Sequence, residues 1–473
     1  MPAHPLTAEA RRENAAALAA ALGLGLDKAA EVLDVAVAIT TNPADRIAQE
    51  FAADIAALLG RTVREVSIQD VPTAPAAELV IGDAAARTRG RKLYLSVTRE
   101  GATLSRTAGA PHLRQPVHGL LRVIVACYAS AAVLDRALDA PLPFGLPDPL
   151  VLSFDALGLD LADLNRPVDL GHAYLAGAGA IGNGLLWAAR HLDVRGRLEI
   201  TDDDRVDSGN LNRQVWFGTD DVDLKKVERL VLKAQPFFQG LKLVPRPVRI
   251  QDLPEKSPGP WLRRLIVAVD SRRARRQLQN EFPGEVFDAS TTDIREVVVH
   301  YNRQPTTHAC LSCIYEPDGE ELSREQHIAD HLGVSVEAVR CERISAAAAA
   351  AIVQRFPALA NVDLIGTAYD TLFKRLCGEG LLKTAVGRQV TAPFGFVSVL
   401  AGALLAVELV RRLSTGRSDR NFNYWRVSAW HAPLARRRML RPRQPGCAFC
   451  GSPILRRVNA GLWSGQSPAN ILA

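Results

Sequence analysis

The chain has 473 residues, more than one hydrophobic core accommodates, so two or three domains are expected. Apolar residues make up 48% and charged residues 23%, a globular balance that excludes a disordered or fibrous chain. The net charge of +6 is small, and its 57 basic residues are interspersed with 51 acidic ones, which gives no case for nucleic acid as a partner.

Residues 6–34 are rich in Ala and Leu at helical spacing and predict one or two helices. Val35–Thr40 predicts a strand, residues 43–59 a helix and Val63–Ile68 a second strand. Glu78–Ile81 and Lys92–Val97 add two short strands, so an N-terminal α/β domain is expected. No glycine fingerprint follows any of these strands, and the region is assigned no nucleotide. His118–Leu138 predicts a long apolar helix, and the proline-rich run Ala140–Pro149 after it marks the expected domain boundary.

From His172 the pattern is plainer. A strand (HAYLAG), a glycine turn and a helix (IGNGLLWAARHL) lead to a second strand, GRLEITD, and later LIVAV ends at Asp270. Residues 321–385 are mostly helical in pattern, including the alanine run of Ser345–Phe356. Pro393–Val407 is too short to span a bilayer and runs into Glu408, so a buried core helix is predicted and no membrane partner. The last twenty or so residues show no period and read as a tail. No internal repeat is visible.

The N-terminus is polar without an apolar h-region, so no secretory signal is expected. Four of the seven cysteines form two Cys-x-x-Cys pairs. In such a chain they point to metal or catalysis in a reducing cytoplasm, not to disulfides.

The run Gly177-Ala-Gly179-Ala-Ile-Gly182 follows a strand and opens a helix, where small residues and free amides suit a phosphate. Asp202 ends the next strand, where its carboxylate can bond a ribose hydroxyl. Alone, this fits a nicotinamide dehydrogenase or a plain glycine turn equally well. Asp204, Asn210, Arg213 and Lys226 then follow in order, with Asp270 at a later strand end. Hydride transfer needs no such set, whereas attack on an α-phosphate needs cations around the transferring group and a carboxylate-held Mg²⁺. Cys310-x-x-Cys313 and Cys447-x-x-Cys450 give four thiolates in two clips, which suit a structural Zn²⁺ fastening distant segments. One pair alone would also suit a redox dithiol.

These stretches resemble the ThiF/MoeB/E1 superfamily, the activating enzymes of ubiquitin-like proteins. The resemblance rests on GAGAIGNG, TDDDRVDSGNLNRQVWF, LKKVE, VAVDS, both cysteine pairs and APFGFVSVLAGALLAVEL, over about residues 172–450. It implies an α/β fold with a Rossmann-like doubly wound adenylation domain, and an acyl-adenylate product. It further implies Asp202 on the ribose, Arg213 and Lys226 on the triphosphate of ATP, Asp270 on Mg²⁺, Asn210 lining the pocket and Asp204 as a second acidic participant. Zinc on Cys310, Cys313, Cys447 and Cys450 agrees with the resemblance, although some members have lost the metal.

Such enzymes commonly pass the acyl group to a cysteine. Cys127 lies in an apolar run and reads as inert. Cys341 has cationic neighbours within a helical pattern, and Cys377 follows Lys374 and Arg375 ahead of a glycine. Cys377 is the preferred nucleophile, Cys341 the rival, and both can be structural. Simpler members carry a cysteine nearer the Ala-Pro before the late helix; here Thr384–Gly387 precedes Ala392-Pro393 without one, so the segment resembles an inserted crossover region.

The expected division is an N-terminal α/β domain (1–150), read as a degenerate adenylation-like half; an ATP-binding adenylation domain (151–320); a helical, cysteine-bearing crossover segment (321–390); and a return to the adenylation domain with the second clip and tail (391–473). The expected function is an E1-like enzyme that adenylates the C-terminal tail of a ubiquitin-like protein, captures it as a thioester and passes it to an E2-like carrier. Such a protein would be a monomer of pseudo-dimeric halves or a homodimer. Bacterial ubiquitin-like conjugation or antiviral defence is the setting this resemblance suggests. The alternative is an adenylyltransferase of sulfur-carrier biosynthesis, and a pseudoenzyme scaffold is the non-enzyme rival.

Overall fold

The computed structural model describes residues 6–108, 115–139, 142–254, 259–341, 343–378, 393–414, 416, 420–434 and 437–464. Among them, no helix is long and apolar enough to cross a membrane.

The N-terminal half opens with α1 (Ala8–Leu22), capped by Thr7, and α2 (Leu26–Leu33). Then come β1 (Ala36–Thr41), α3 (Arg46–Leu59), β2 (Glu65–Ile68), β3 (Ala77–Ile81), β4 (Arg91–Val97), β5 (Gly101–Ser105), α4 (Gly119–Ala137) and β6 (Leu150–Ser153). The six strands form one sheet in the order β2-β1-β3-β4-β5-β6. Its first four strands run parallel, and β5 and β6 close it antiparallel. Because β6 pairs here, the break between halves falls after Ser153, later than a division at 150 and 151.

The second half runs β7 (Val168–Ala176), α5 (Ala180–Ala189), β8 (Val194–Thr201), α6 (Lys226–Ala234), β9 (Leu241–Arg246), β10 (Arg264–Val267), α7 (Arg272–Gln279), β11 (Glu285–Thr292), β12 (Glu296–Arg303) and α8 (Leu311–Ile314). A helical insert follows: α9 (Gly319–Leu332), α10 (Val336–Arg340), α11 (Ala346–Arg355) and α12 (Tyr369–Gly378). The chain returns through α13 (Gly395–Leu413), β13 (Tyr424–Ser428), β14 (Arg438–Met439) and α14 (Pro453–Trp463). Helix α14 lies where the sequence showed no period, and Trp463 Nε1 fastens it by donating to Phe282 O at 2.9 Å. The eight strands order as β14-β13-β12-β11-β10-β7-β8-β9.

The two sheets share one plan. Without β9 and β14, the second reads β8-β7-β10-β11-β12-β13, and each neighbour pair runs in the same relative direction as its counterpart in β2-β1-β3-β4-β5-β6. Helix α3 follows β1 as α5 follows β7, and α4 precedes β6 as α13 precedes β13. The repeat is one of topology, invisible as repeated sequence.

Helix α13 is buried from Gly395 to Arg411, a core helix wedged against α5, α4, β7, β11 and β12. Gly184 and Gly402 permit the close crossing, since a Cβ on Gly402 would overlap the backbone of Gly184 and Leu185. One apolar core therefore runs through both halves, from Ala10 to Trp430. A charged pin crosses the same boundary: Asp54 accepts Arg122 Nε at 2.6 Å and stands 3.6 Å from Arg190, just past α5. The insert has a separate core around Ile328, Leu332, Ile352, Tyr369 and Leu376.

Candidate functional site

Ala176, Thr201 and Val267 lie side by side at the ends of β7, β8 and β10. The chain therefore leaves the sheet at Gly177, Asp202 and Ala268 together, where strand order reverses about β7. That crevice is where ligands bind in doubly wound sheets. Gly177 has φ 103°, and a Cβ there would sit 2.7 Å from Ala268 O, so only glycine fits. Gly179 is the N-cap of α5 without a side-chain cap, and nothing stands within 4 Å of the place its Cβ would take. Gly182 occupies the first turn of α5. The helix N-terminus thus faces open space with its positive dipole end toward it, as an anion requires. Asn183 fixes this turn: its Nδ2 donates to Ala178 O at 2.9 Å and Gly179 O at 3.0 Å, and its Oδ1 accepts from Trp216 N at 3.1 Å. The corresponding turn of the N-terminal half is closed. There Asp45 Oδ1 accepts from Ile47 N and Ala48 N, each at 3.0 Å, and its carboxylate fills the anion position of α3.

Asp202 Oδ2 accepts from Ala178 N at 2.8 Å and its Oδ1 from Asp204 N at 2.9 Å, which ties the acidic run to the glycine turn. Burial, with the Asp204 charge behind it, pushes the Asp202 carboxyl up against the pull of Lys226. Asp204 feels burial most, in the same direction, but the charge and hydrogen bond of Lys226, with Arg343 and Lys225 behind them, hold that carboxyl down. Lys226, the first residue of α6, is only 7% exposed and places Nζ 2.8 Å from Asp204 Oδ2. Burial works to lower this ammonium, and Asp202 and Asp204 more than reverse it, so the lysine stays charged.

Arg213 ends the short 3-10 turn Ser208–Asn212. Its Nη2 donates to Asn210 Oδ1 at 2.6 Å and its Nη1 to Asn212 Oδ1 at 2.8 Å, while Glu13 of α1 stands 3.8 Å away. Burial lowers its pKa, against the negative charges of Glu13, Asp270 and Asp207. The N-terminal half braces this turn. Asn14 Oδ1 accepts from Asn212 Nδ2 at 2.8 Å, and Arg61 donates to the carbonyls of Leu211, Gln214, Val215 and Phe217. Burial takes Arg61 down to about 10. No local pattern marks Glu13, Asn14 or Arg61, which lie some 150–200 residues from their partners.

Asp270 is exposed beyond the end of β10, and its charge reaches Arg213, Lys226 and Arg275. Arg275 is fully buried; it donates to Val269 O and to Asp288, and Tyr315 OH donates to the other Asp288 oxygen at 2.6 Å. These bonds fix the backbone that presents Asp270. The fold therefore links Asp202, Asp204 and Lys226 to the glycine turn of Gly177, Gly179 and Gly182, and holds Asn210 against Arg213, with the charge of Asp270 reaching both cations.

Cys310, Cys313, Cys447 and Cys450 are buried, with Sγ atoms all within 4.8 Å of one another. Cys310 Sγ lies 3.7 Å from Cys313 Sγ and 3.8 Å from Cys447 Sγ. Thiolates at tetrahedral vertices about 2.3 Å from zinc stand about 3.8 Å apart, so the set fits Zn²⁺. The approach is seated by Ala309 O, which accepts from Asn302 Nδ2 at 2.7 Å. Asp202, Asp203 and Asp204 also bring oxygens within 4.8 Å of each other, but Lys226 and Arg343 already hold two of these carboxylates.

Of the remaining thiols, Cys127 is buried, which drives its pKa well up. Cys341 is exposed at the C-cap of α10. Cys377 falls in the last turn of α12, and its side chain lies outside the described residues, as do residues 379–392 after the helix.

Residues 166–449 match the model of the ThiF family, and residues 7–160 match that of the E1 N-terminal domain. An uncharacterized protein of Sinorhizobium fredii, y4jF, is 28% identical over 308 residues, covering 62% of this chain and 57% of that protein. The chain thus spans little more than half the length of that curated relative. Similar solved structures include E. coli MccB with MccA-N7isoASN (13% identity, TM-score 0.36) and E. coli MccB with ATP (14% identity, TM-score 0.35). Each covers 76% of this chain and 98% of the solved one.

Proposed function

Because the chain belongs to the ThiF family, we propose that it adenylates the C-terminal carboxylate of a ubiquitin-like protein with ATP. The observation that carries this reading is that the uncapped turn into α5 is tied to Asp202, whose charge and that of Asp270 reach Lys226, while Asp270 also reaches Arg213. A triphosphate lies over those amides, with Asp202 toward the ribose and Asn210 beside Arg213. The tail carboxylate attacks the α-phosphorus, an O–P bond forms, and pyrophosphate leaves with the electron pair of the bond that breaks. Arg213 and Lys226 meet the charge that builds on the phosphoryl oxygens. Asp270 would hold Mg²⁺, which binds through one or two carboxylates plus substrate phosphates and supplies charge neutralisation there. The four cysteines would hold Zn²⁺ as a staple away from the chemistry.

In the next step a cysteine thiolate attacks the acyl carbon and AMP leaves, giving a thioester that an E2-like cysteine can accept. Cys377 is the first candidate. Cys341 is the second, favoured by its exposure on the turn that also bears Arg343. The N-terminal half serves as the inactive partner of the adenylating half: its anion position is filled by Asp45, and its Arg61 steadies the Arg213 turn.

The test is ATP–pyrophosphate exchange with a ubiquitin-like candidate supplied, followed by a non-reducing gel and mass spectrometry. Exchange that depends on the tail and disappears in Arg213→Ala supports the reading; exchange indifferent to the tail sinks it. Loss of a thiol-sensitive adduct in Cys377→Ala but not Cys341→Ala assigns the nucleophile, and the reverse moves it.

A further inference from the structure

Arg343 carries the helical insert to the acidic strand end after β8. Arg343 Nη2 stands 3.0 Å from Asp203 Oδ1, a pair separated by 140 residues of chain. The guanidinium is held from behind: Nη1 donates to Gly366 O at 3.1 Å, and the backbone of Arg343 bridges Ala368. Ile344 N adds a bond to Thr367 O at 3.0 Å, so two loops of the insert set the position of Arg343.

Asp203 lies between the two acidic residues already placed in the site, and the three carboxylates crowd within 4.8 Å. Lys226 answers Asp204, and Lys225 Nζ is engaged by the backbone carbonyl of Asp203 at 2.7 Å. Arg343 supplies the charge opposite the Asp203 carboxylate. An uncompensated carboxylate there would lie within a Debye length of incoming phosphates and repel them. A neutral nucleoside would not feel it.

We propose that Arg343 is a nucleotide-site residue donated by the helical insert, offsetting Asp203 so that the acidic strand end accepts a polyphosphate and favours ATP over uncharged nucleosides. The inference rests on the adenylation reading and deepens it. The pair is partly solvated, with Asp203 36% and Arg343 25% exposed, so the effect is one of affinity and not of all-or-none binding.

Calorimetric titration of the full chain with Mg·ATP and with adenosine tests it. Arg343→Gln is expected to weaken Mg·ATP binding about three- to tenfold and adenosine binding less than about twofold, with the gap narrowing as salt rises. Adding Asp203→Asn to that variant should restore Mg·ATP affinity to within about twofold of wild type, because the charge that Arg343 offset is gone. Unchanged affinity in Arg343→Gln, equal weakening for both ligands, or a double variant no better than the single one overturns the proposal. Wild-type protein that binds no Mg·ATP overturns the adenylation reading beneath it instead. Thermal melts of each variant report folding independently of binding.

Discussion

At the scale of single residues, the site is built from charges that hold one another in their ionised forms. Lys226 remains an ammonium in a buried place because Asp202 and Asp204 outweigh its desolvation. Replacing it with Met should lower ATP–pyrophosphate exchange by about 10²–10³-fold, the usual result of deleting one preorganised donor at developing charge. A rate within about threefold of wild type would remove Lys226 from the chemistry. A different carboxylate bears on stability. Asp221 is fully buried and accepts from Gly218 N at 2.8 Å and Arg229 Nε at 2.7 Å, with Lys233 on its second oxygen. Burial raises its pKa, but Lys233, Gly218 and Arg229 together depress it. A depressed carboxyl stabilises the fold above its unfolded value, about 3.9, and that contribution is lost as pH falls through the lower folded value. Asp221→Asn should therefore cost about 2 kcal/mol near neutrality and flatten the acid limb of a Tm-against-pH curve. An acid limb parallel to that of wild type would contradict this.

At the scale of elements, the joins differ in how visible they were. The turn from β7 to α5 could be read directly, because Gly177, Gly179 and Gly182 answer to local backbone demands. The buried course of α13 could also be read, from its apolar run and the glutamate that interrupts it. Strands β5, β6, β9, β13 and β14 are short and carry little periodicity, while β11 and β12 run to eight residues but are buried on both faces along most of their length, so their residues do not alternate and leave no strand signal. Helix α14 was missed for a related reason: Ser452 caps it, but its buried face is narrow, with Asn459 and Gly461 as its buried residues. The two cysteine clips join α8 to the segment before α14, so metal should govern the order of that segment. Cys447→Ser is expected to abolish stoichiometric zinc by mass spectrometry and to hasten proteolysis around residues 437–464. Full zinc content in that variant would refute a four-cysteine site.

At the scale of the whole molecule, the halves are mechanically continuous. They share a core from Ala10 to Trp430, the Asp54–Arg122–Arg190 pin and the grip of Arg61 on the turn of Arg213. A shared core predicts one calorimetric transition for both halves, with two resolved transitions as the contrary result. Arg61→Ala should reduce exchange although Arg61 lies in the other half, because four carbonyls around Arg213 lose their donor. Sequence by itself determined what depends on near neighbours: the glycine turn into α5, the acidic and basic residues that follow it, the cysteine clips and the class of fold. Only the tertiary structure decided that a second sheet repeats the plan of the first, that Asn14 and Arg61 brace the Arg213 turn, and that Arg343 of the insert pairs with Asp203. Backbone geometry and solvation act along the chain and leave a pattern in it, whereas contacts across 140 residues or more depend on how the sheets and helices pack, and packing leaves no spacing to read.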